Sequence, residues 1–362
     1  MIFIVAPDGQ AGGGMGRVKD YILDEGASSN IGFVPLITRD NKGFLQSLLL
    51  TLKAVFTIWK FKWRGQLDLV HVNMGDKASV LRKGLVTVFC RIIGVKVVLH
   101  LHAVELDTLY ARSGPFLRLL IGLPFKAATV IVVLGRVYLD WLVQELEIPA
   151  HKIETLTNGV PVDHHEPKPS EKTLGVLFLG NLIERKGVDL LLKAVAALPD
   201  DTLPWTLTLA GGGDLARYKQ IVRHLGLEQK VHFTGWLDQA AAQQLLRHSD
   251  ILVLPSYHEG LPLVILEALG CGTVVVCTPV GAVPEVLTDG HDAIFCKIGD
   301  FSDLTGCLLK LLRQPDLRME LKKNGMSSYD KRFSLQSFSQ NLFRIYKKHC
   351  GVNVERSGVQ CD

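Results

Sequence analysis

ILVLPSYHEGLPLVILEALGCGTVVVC, residues 251–277, is the stretch whose reading decides the fold. An apolar run of strand length, 251–255, gives way to a polar loop from Ser256 to Leu261. Pro262 then suits the first turn of a helix, where a missing N–H costs nothing, and the helix runs through about Gly270. A second strand-length run follows at 273–277. Two continuous apolar runs joined by a helix read as neighbouring parallel strands, buried on both faces and linked by a crossover.

The same alternation extends in both directions. The first half carries IFIVAP (2–7), FVPLIT (33–38), LDLVHVN (67–73), KVVLHLH (96–102) and TVIVVL (129–134), each followed by a helix-length segment. The series breaks at TNGVPVDHHEPKPSEKT (157–173), rich in proline and charge as an interdomain linker is. It resumes with LGVLFLG (174–180), TLTLAG (206–211), VHFTG (231–235), ILVLP, TVVVC and AIFC (293–296), and ends in helices to about residue 349. This predicts an α/β fold of two doubly wound, Rossmann-like domains facing a cleft: residues 1–165, residues 166–335, and a helix with a tail over 336–362 that could cross back to the first domain.

The chain has 362 residues, 48% of them apolar and 21% charged, which excludes a mainly disordered or fibrous protein. Its net charge of +4 is N-terminal: residues 1–165 hold 18 Lys and Arg against 14 Asp and Glu, whereas 166–362 hold 22 of each. So small an excess, without a dense basic run, argues against nucleic acid as a partner. The seven cysteines form no CxxC pair, and the N-terminal apolar stretch is too short for a signal peptide, so a reducing cytoplasmic location is expected.

Four segments carry candidate chemistry. GQAGGGMG (9–16), with five glycines in eight residues, follows a strand, and its amides around Gly13 and Gly14 could approach an anion. It does not spell GxGxxG, because Arg17 stands at the last position, so nicotinamide binding loses support. LHLHAVELD (99–107) sets His100 and His102 on one face at a strand end, with Glu105 nearby and no further residue at a metal-ligand spacing. In GNLIERKGVDLL (180–191), Arg185 and Lys186 stand at a helix start, where cations oppose the helix dipole unless an anion is bound. In the opening stretch, the amides of Gly260 and Leu261 lie at a helix N-terminus. Glu259 in the loop and Glu267 in the helix can both face the cleft and accept hydrogen bonds from sugar or ribose hydroxyls.

Taken in order, the Gly-rich loop, His102, NGV (158–160), the RKG turn (185–187), PS..EG (255–260), the two glutamates and PVGAVPEVLTDG (279–290) resemble the family 4 retaining glycosyltransferases of GT-B fold. The resemblance covers nearly the whole chain. It implies sugar transfer from a nucleotide-sugar with retention, needing neither metal nor other cofactor. It assigns the ribose to Glu267, the donor-sugar hydroxyls to Glu259, and the departing diphosphate to Lys186 and Arg185 with the amides of Gly13, Gly14, Gly260 and Leu261. It sets His102 by the reacting sugar, and Arg17 follows the Gly-rich loop as in relatives. One departure stands out: Asn181 occupies a position where the family often has arginine, which leaves Arg185 as its replacement. A nucleotide-sugar epimerase or a non-catalytic nucleotide-sugar-binding protein are the alternatives.

FLQSLLLTLKAVFTIWKFKWRG (44–65) puts Gln46, Lys53, Thr57, Lys60 and Arg64 on one stripe of an otherwise apolar helix. That pattern fits either an interfacial helix on an anionic membrane or a buried helix of the first sheet. With the acceptor expected on the N-terminal domain, a saccharide or lipid-linked saccharide at the inner membrane face follows, as in bacterial surface-polysaccharide assembly.

Overall fold

The computed structural model describes residues 1–40, 42–162 and 173–355, with only the backbone of 9–12. The chain forms two compact units: Met1–Gly159 together with Leu335–Asp362, and Val160–Ser334. The boundary expected at 165/166 lies outside the described residues; the division falls at Gly159/Val160 and again after Ser334.

The first unit is built on six parallel strands: β1 (Ile2–Pro7), β2 (Phe33–Arg39), β3 (Leu69–Met74), β4 (Lys96–Leu101), β5 (Val130–Val133) and β6 (Ile153–Thr155), in the order β2-β1-β3-β4-β5-β6. Every residue of β3 and β5 is buried, which is why these strands read as unbroken apolar runs. Strand order reverses between β1 and β3, so the carboxyl ends of these two strands flank a switch point. The C-terminal segment packs on this unit: Ser339 Oγ donates to Glu25, Lys348 Nζ pairs with Glu154, and Tyr346 is fully buried.

The second unit has β7 (Leu174–Leu179), β8 (Trp205–Ala210), β9 (Val231–Gly235), β10 (Ile251–Leu254), β11 (Val274–Cys277) and β12 (Ile294–Phe295), all parallel, in the order β12-β11-β10-β7-β8-β9. Here the reversal lies between β7 and β10. The crossover expected after β10 is the helix Leu263–Cys271; Pro262 caps it and Gly272 ends it in the left-handed conformation at φ 69°.

The helix Phe44–Trp63 packs on the first sheet with a narrow inner face of Ser47, Thr51, Ala54 and Ile58. Its large side chains point outward: Phe44, Leu45, Leu49, Phe56 and Trp63 are each more than half exposed. The helix is also long and apolar enough to cross a membrane by length and composition.

Candidate active site

In the second unit, the chain leaving β7 and the chain leaving β10 meet beside the switch point. After β7, Glu184–Lys186 forms a single tight turn that ends at Gly187 with φ 71°. That glycine is obligatory for two reasons. A side chain rarely adopts this conformation, and a Cβ there would lie 2.1 Å from the carbonyl oxygen of Pro255. The Tyr257 amide donates to the Arg185 carbonyl at 2.8 Å, and the Arg185 guanidinium donates to the His258 carbonyl. Backbone contact thus holds the RKG turn against the loop after β10.

The side chains follow from that contact. Lys186 Nζ lies 2.5 Å from Glu259 Oε1, and Arg185 Nη1 lies 3.6 Å from Glu259 Oε2. Glu259 is about nine-tenths buried, so both cations face a carboxylate largely removed from water. From the other side, Gly281 (φ 58°) would bring a Cβ within 2.0 Å of the Glu259 carbonyl oxygen, while the Ala282 amide donates to the Gly260 carbonyl at 2.8 Å. The glycines of RKG and PVG are therefore what fix the position of Glu259 and Gly260, a role no spacing argument disclosed. Asn181 is exposed, and Leu261 is buried. Glu267, expected on a ligand-facing side of its helix, is instead completely buried; the apolar residues around it on LVILEAL draw the whole helix into the core.

In the first unit, the segment expected as a Gly-rich loop is helical, Gly9–Ala27, broken by one non-helical residue, Gly13 at φ 53° and ψ −136°. Only glycine adopts that conformation readily, so the anomaly narrows from five glycines to one kink. Gly14 begins the continuing helix, and Arg17 Nη2 donates to the Tyr21 hydroxyl at 2.9 Å.

His102 is half-buried, and its Nε2 bonds to Asn73 Oδ1 at 2.9 Å. Its ring lies 4.0 Å from that of His100, which in turn lies 5.4 Å from His71. Nδ1 of His71 is 2.7 Å from the Tyr346 hydroxyl. Burial pushes His71 down to about 3 and His100 well below the usual imidazole range; burial, then the nearby His71 and Lys83, push His102 down as well. The cluster is therefore neutral at ordinary pH, and His102 acts as a hydrogen-bonding group rather than a cation. The Glu105 amide donates to Asp76 Oδ1 at 3.1 Å.

Residues 161–328 match the family model described as Glycosyl transferases group 1. A D-inositol 3-phosphate glycosyltransferase of Corynebacterium jeikeium is 29% identical over 228 residues, 57% of this chain and 54% of that protein, so the match spans about half the relative's length. The fold resembles sucrose-phosphate synthase of Thermosynechococcus elongatus at a TM-score of 0.79, 17% identity and coverage of 96% of this chain and 98% of that one. Anabaena Alr3699/HepE in complex with UDP-glucose aligns at a TM-score of 0.77 and 18% identity, covering 96% and 99%. The RKG turn, Glu259, Gly281 and Glu267 all fall inside the segment that matches the Glycosyl transferases group 1 model, and the two six-stranded sheets share the GT-B fold of the solved structures they resemble.

Proposed function

We propose that the chain is a retaining glycosyltransferase that moves a sugar from a nucleotide-sugar to a saccharide or lipid-linked saccharide during bacterial surface-polysaccharide assembly. The observation that carries this reading is the Lys186–Glu259 pair, with Arg185 beside it, at the switch point of the family-matched unit. As the bond from the sugar to its nucleoside diphosphate breaks, negative charge grows on the diphosphate. Two cations already fixed at that position stabilise it without reorganising. Glu259 shares those cations and offers lone pairs to donor-sugar hydroxyls. Since Lys186 and Arg185 supply the positive charge, the reading calls on no metal.

The resemblance assigns the remaining roles. The amides of Gly260, Leu261, Gly13 and Gly14 approach the diphosphate, Arg17 supports the Gly-rich turn, and His102 bonds a hydroxyl of the reacting sugar. Glu267 takes the ribose, which requires its buried surroundings to open. A nucleotide-sugar donor agrees with the likeness to a protein crystallised with UDP-glucose.

The same reading assigns the first unit's outward apolar helix, Phe44–Trp63, to a cytoplasmic membrane face. Exposed Lys53, Lys60 and Arg64 accompany Leu45, Phe56 and Trp63, the composition of an interfacial helix on anionic lipid. The test of the donor reading is a thermal-shift screen of the full chain against UDP- and GDP-sugars, since a ligand bound only by the folded state raises its melting temperature. A raised midpoint, followed by turnover only when a membrane extract supplies acceptor, supports it. No shift with any donor, or consumption of donor without acceptor, rejects it.

A further inference from the structure

Lys83 stands in LRKGL (81–85), a sequence that reads as a charged surface turn of a helix, yet its side chain is 2% exposed. Among the described residues its ammonium has one polar contact, the thioether sulfur of Met15 at 3.2 Å. Among the described residues no carboxylate pairs with it. The charged groups that bear on it are two further cations, Arg82 from the same helix and Arg39 from the end of β2. Arg82 is half-buried, and its Nε has no hydrogen-bond partner among the described residues.

A sealed ammonium with only a thioether for company is costly, and lysines in such positions are neutralised or else have a charged ligand to meet. The location favours a ligand. Lys83 lies on the helix Ala78–Ile92 that follows β3, and Met15 lies just past the Gly13 kink in the helix that follows β1. They therefore touch across the carboxyl ends of β1 and β3, the switch point of the first sheet, where open α/β sheets bind their ligands. Met15 also covers Gly75 at the end of β3: a Cβ on Gly75 would lie 2.5 Å from the Met15 methyl group. The same flexible side chain thus caps both the bare backbone and the lone cation. Lys83 is near enough to His102 to act on it electrostatically, which ties it to the histidine cluster described above.

We propose that this switch point is an oxyanion site, in which Lys83 and Arg82 receive a phosphoryl group once the Met15 side chain swings away. The site uses side chains distinct from the Lys186–Glu259 pair; phosphate binding there does not depend on the transferase reading, whereas naming its source as acceptor or donor rests on it. The phosphoryl group could belong to an acceptor or to the donor's diphosphate; both present the same oxygens to the two cations. Burial beside Arg82 and Arg39 holds Lys83 down at about 7, so at pH 8 it is largely neutral and must take up a proton to meet an anion.

The test is calorimetric titration of the full chain with inorganic phosphate at pH 8, in buffers of different ionisation enthalpy. Wild type is expected to bind phosphate with proton uptake beyond what a Lys83→Met variant shows. Lys83→Met is expected to bind about tenfold or more weakly, while melting no lower than wild type because it replaces a buried amine that has no carboxylate partner with an apolar side chain of similar length. Arg82→Gln, which leaves the buried core untouched, is expected to weaken binding by a few-fold and to retain the proton uptake. Repeating the titration with saturating UDP or GDP separates the sources: undiminished phosphate binding assigns the site to an acceptor, and displacement assigns it to the donor's diphosphate. Phosphate affinity and proton uptake unchanged in both variants would overturn the proposal, as would no phosphate binding by wild type.

Discussion

Lys186 Nζ lies 2.5 Å from Glu259 Oε1, joining the turn that leaves β7 to the loop that leaves β10. This single pair couples the two sides of the second unit's switch point, and most of the functional account depends on it. Replacing Lys186 with Ala is expected to lower kcat by about 10²–10³, the usual effect of removing one preorganised charge from a transition state. Steady-state kinetics on wild type and variant checks this; an unchanged kcat would remove Lys186 from the leaving-group site. Because the variant also leaves the largely buried Glu259 with Arg185 alone, at 3.6 Å, its melting temperature should fall as well.

Gly187 gives a prediction about architecture rather than charge. Gly187→Ala must adopt φ 71° and move a Cβ off the Pro255 carbonyl, which costs about 2–4 kcal/mol through strain and overpacking. Urea unfolding should show that loss, and donor affinity should fall with it because the RKG turn is displaced. A variant with native stability would mean that the turn and the loop are not held by this contact.

The buried histidines set an acid limit. Burial pushes His71 down to about 3 and His100 well below the usual imidazole range, so the folded state keeps them neutral while the unfolded chain takes up protons below about pH 6.5. The unfolded state therefore binds more protons across that window, and stability falls as the pH drops from about 6.5 towards 3. Each imidazole contributes up to about 1.4 kcal/mol per pH unit. In His71→Gln the slope of stability against pH between 4 and 6 should be shallower than in wild type; an equal slope would contradict the burial argument.

The outward face of Phe44–Trp63 is testable apart from catalysis. Trp59 and Trp63 stack edge to face on the exposed side, with Trp63 77% exposed. Changing both to Ser should reduce sedimentation with phosphatidylglycerol vesicles several-fold while leaving the fold intact, since neither belongs to the buried stripe. Binding by wild type should also weaken with salt. Equal sedimentation of variant and wild type would detach this helix from membranes.

Much of the fold was legible because parallel strands covered on both faces must be apolar throughout. The eleven apolar runs correspond to eleven strands, with ends shifted by a residue or two. The twelfth, β6, escaped because Ile153–Thr155 is a three-residue edge strand with one buried side chain. At the site, RKG and PS..EG were visible as motifs, but the carbonyls that make Gly187 and Gly281 indispensable come from segments tens of residues away. The Gly-rich segment misled because helix and kink share its composition, and only the backbone angles isolate Gly13. Glu267 was legible as a carboxylate in an apolar helix, but its complete burial comes from how that helix packs, which the one segment does not disclose. Lys83 was invisible: beside Arg82 it looks like a solvated pair, and only packing shows that one of the two is sealed in.

The central claim is sugar transfer that depends on Lys186, and incorporation of radiolabel from nucleotide-sugars into membrane-extract acceptors, with and without EDTA, tests it most directly. The account predicts incorporation by wild type that EDTA leaves intact and that Lys186→Ala reduces about a hundredfold or more. Incorporation equal in both proteins, or lost on chelation and restored by a divalent metal, would contradict it.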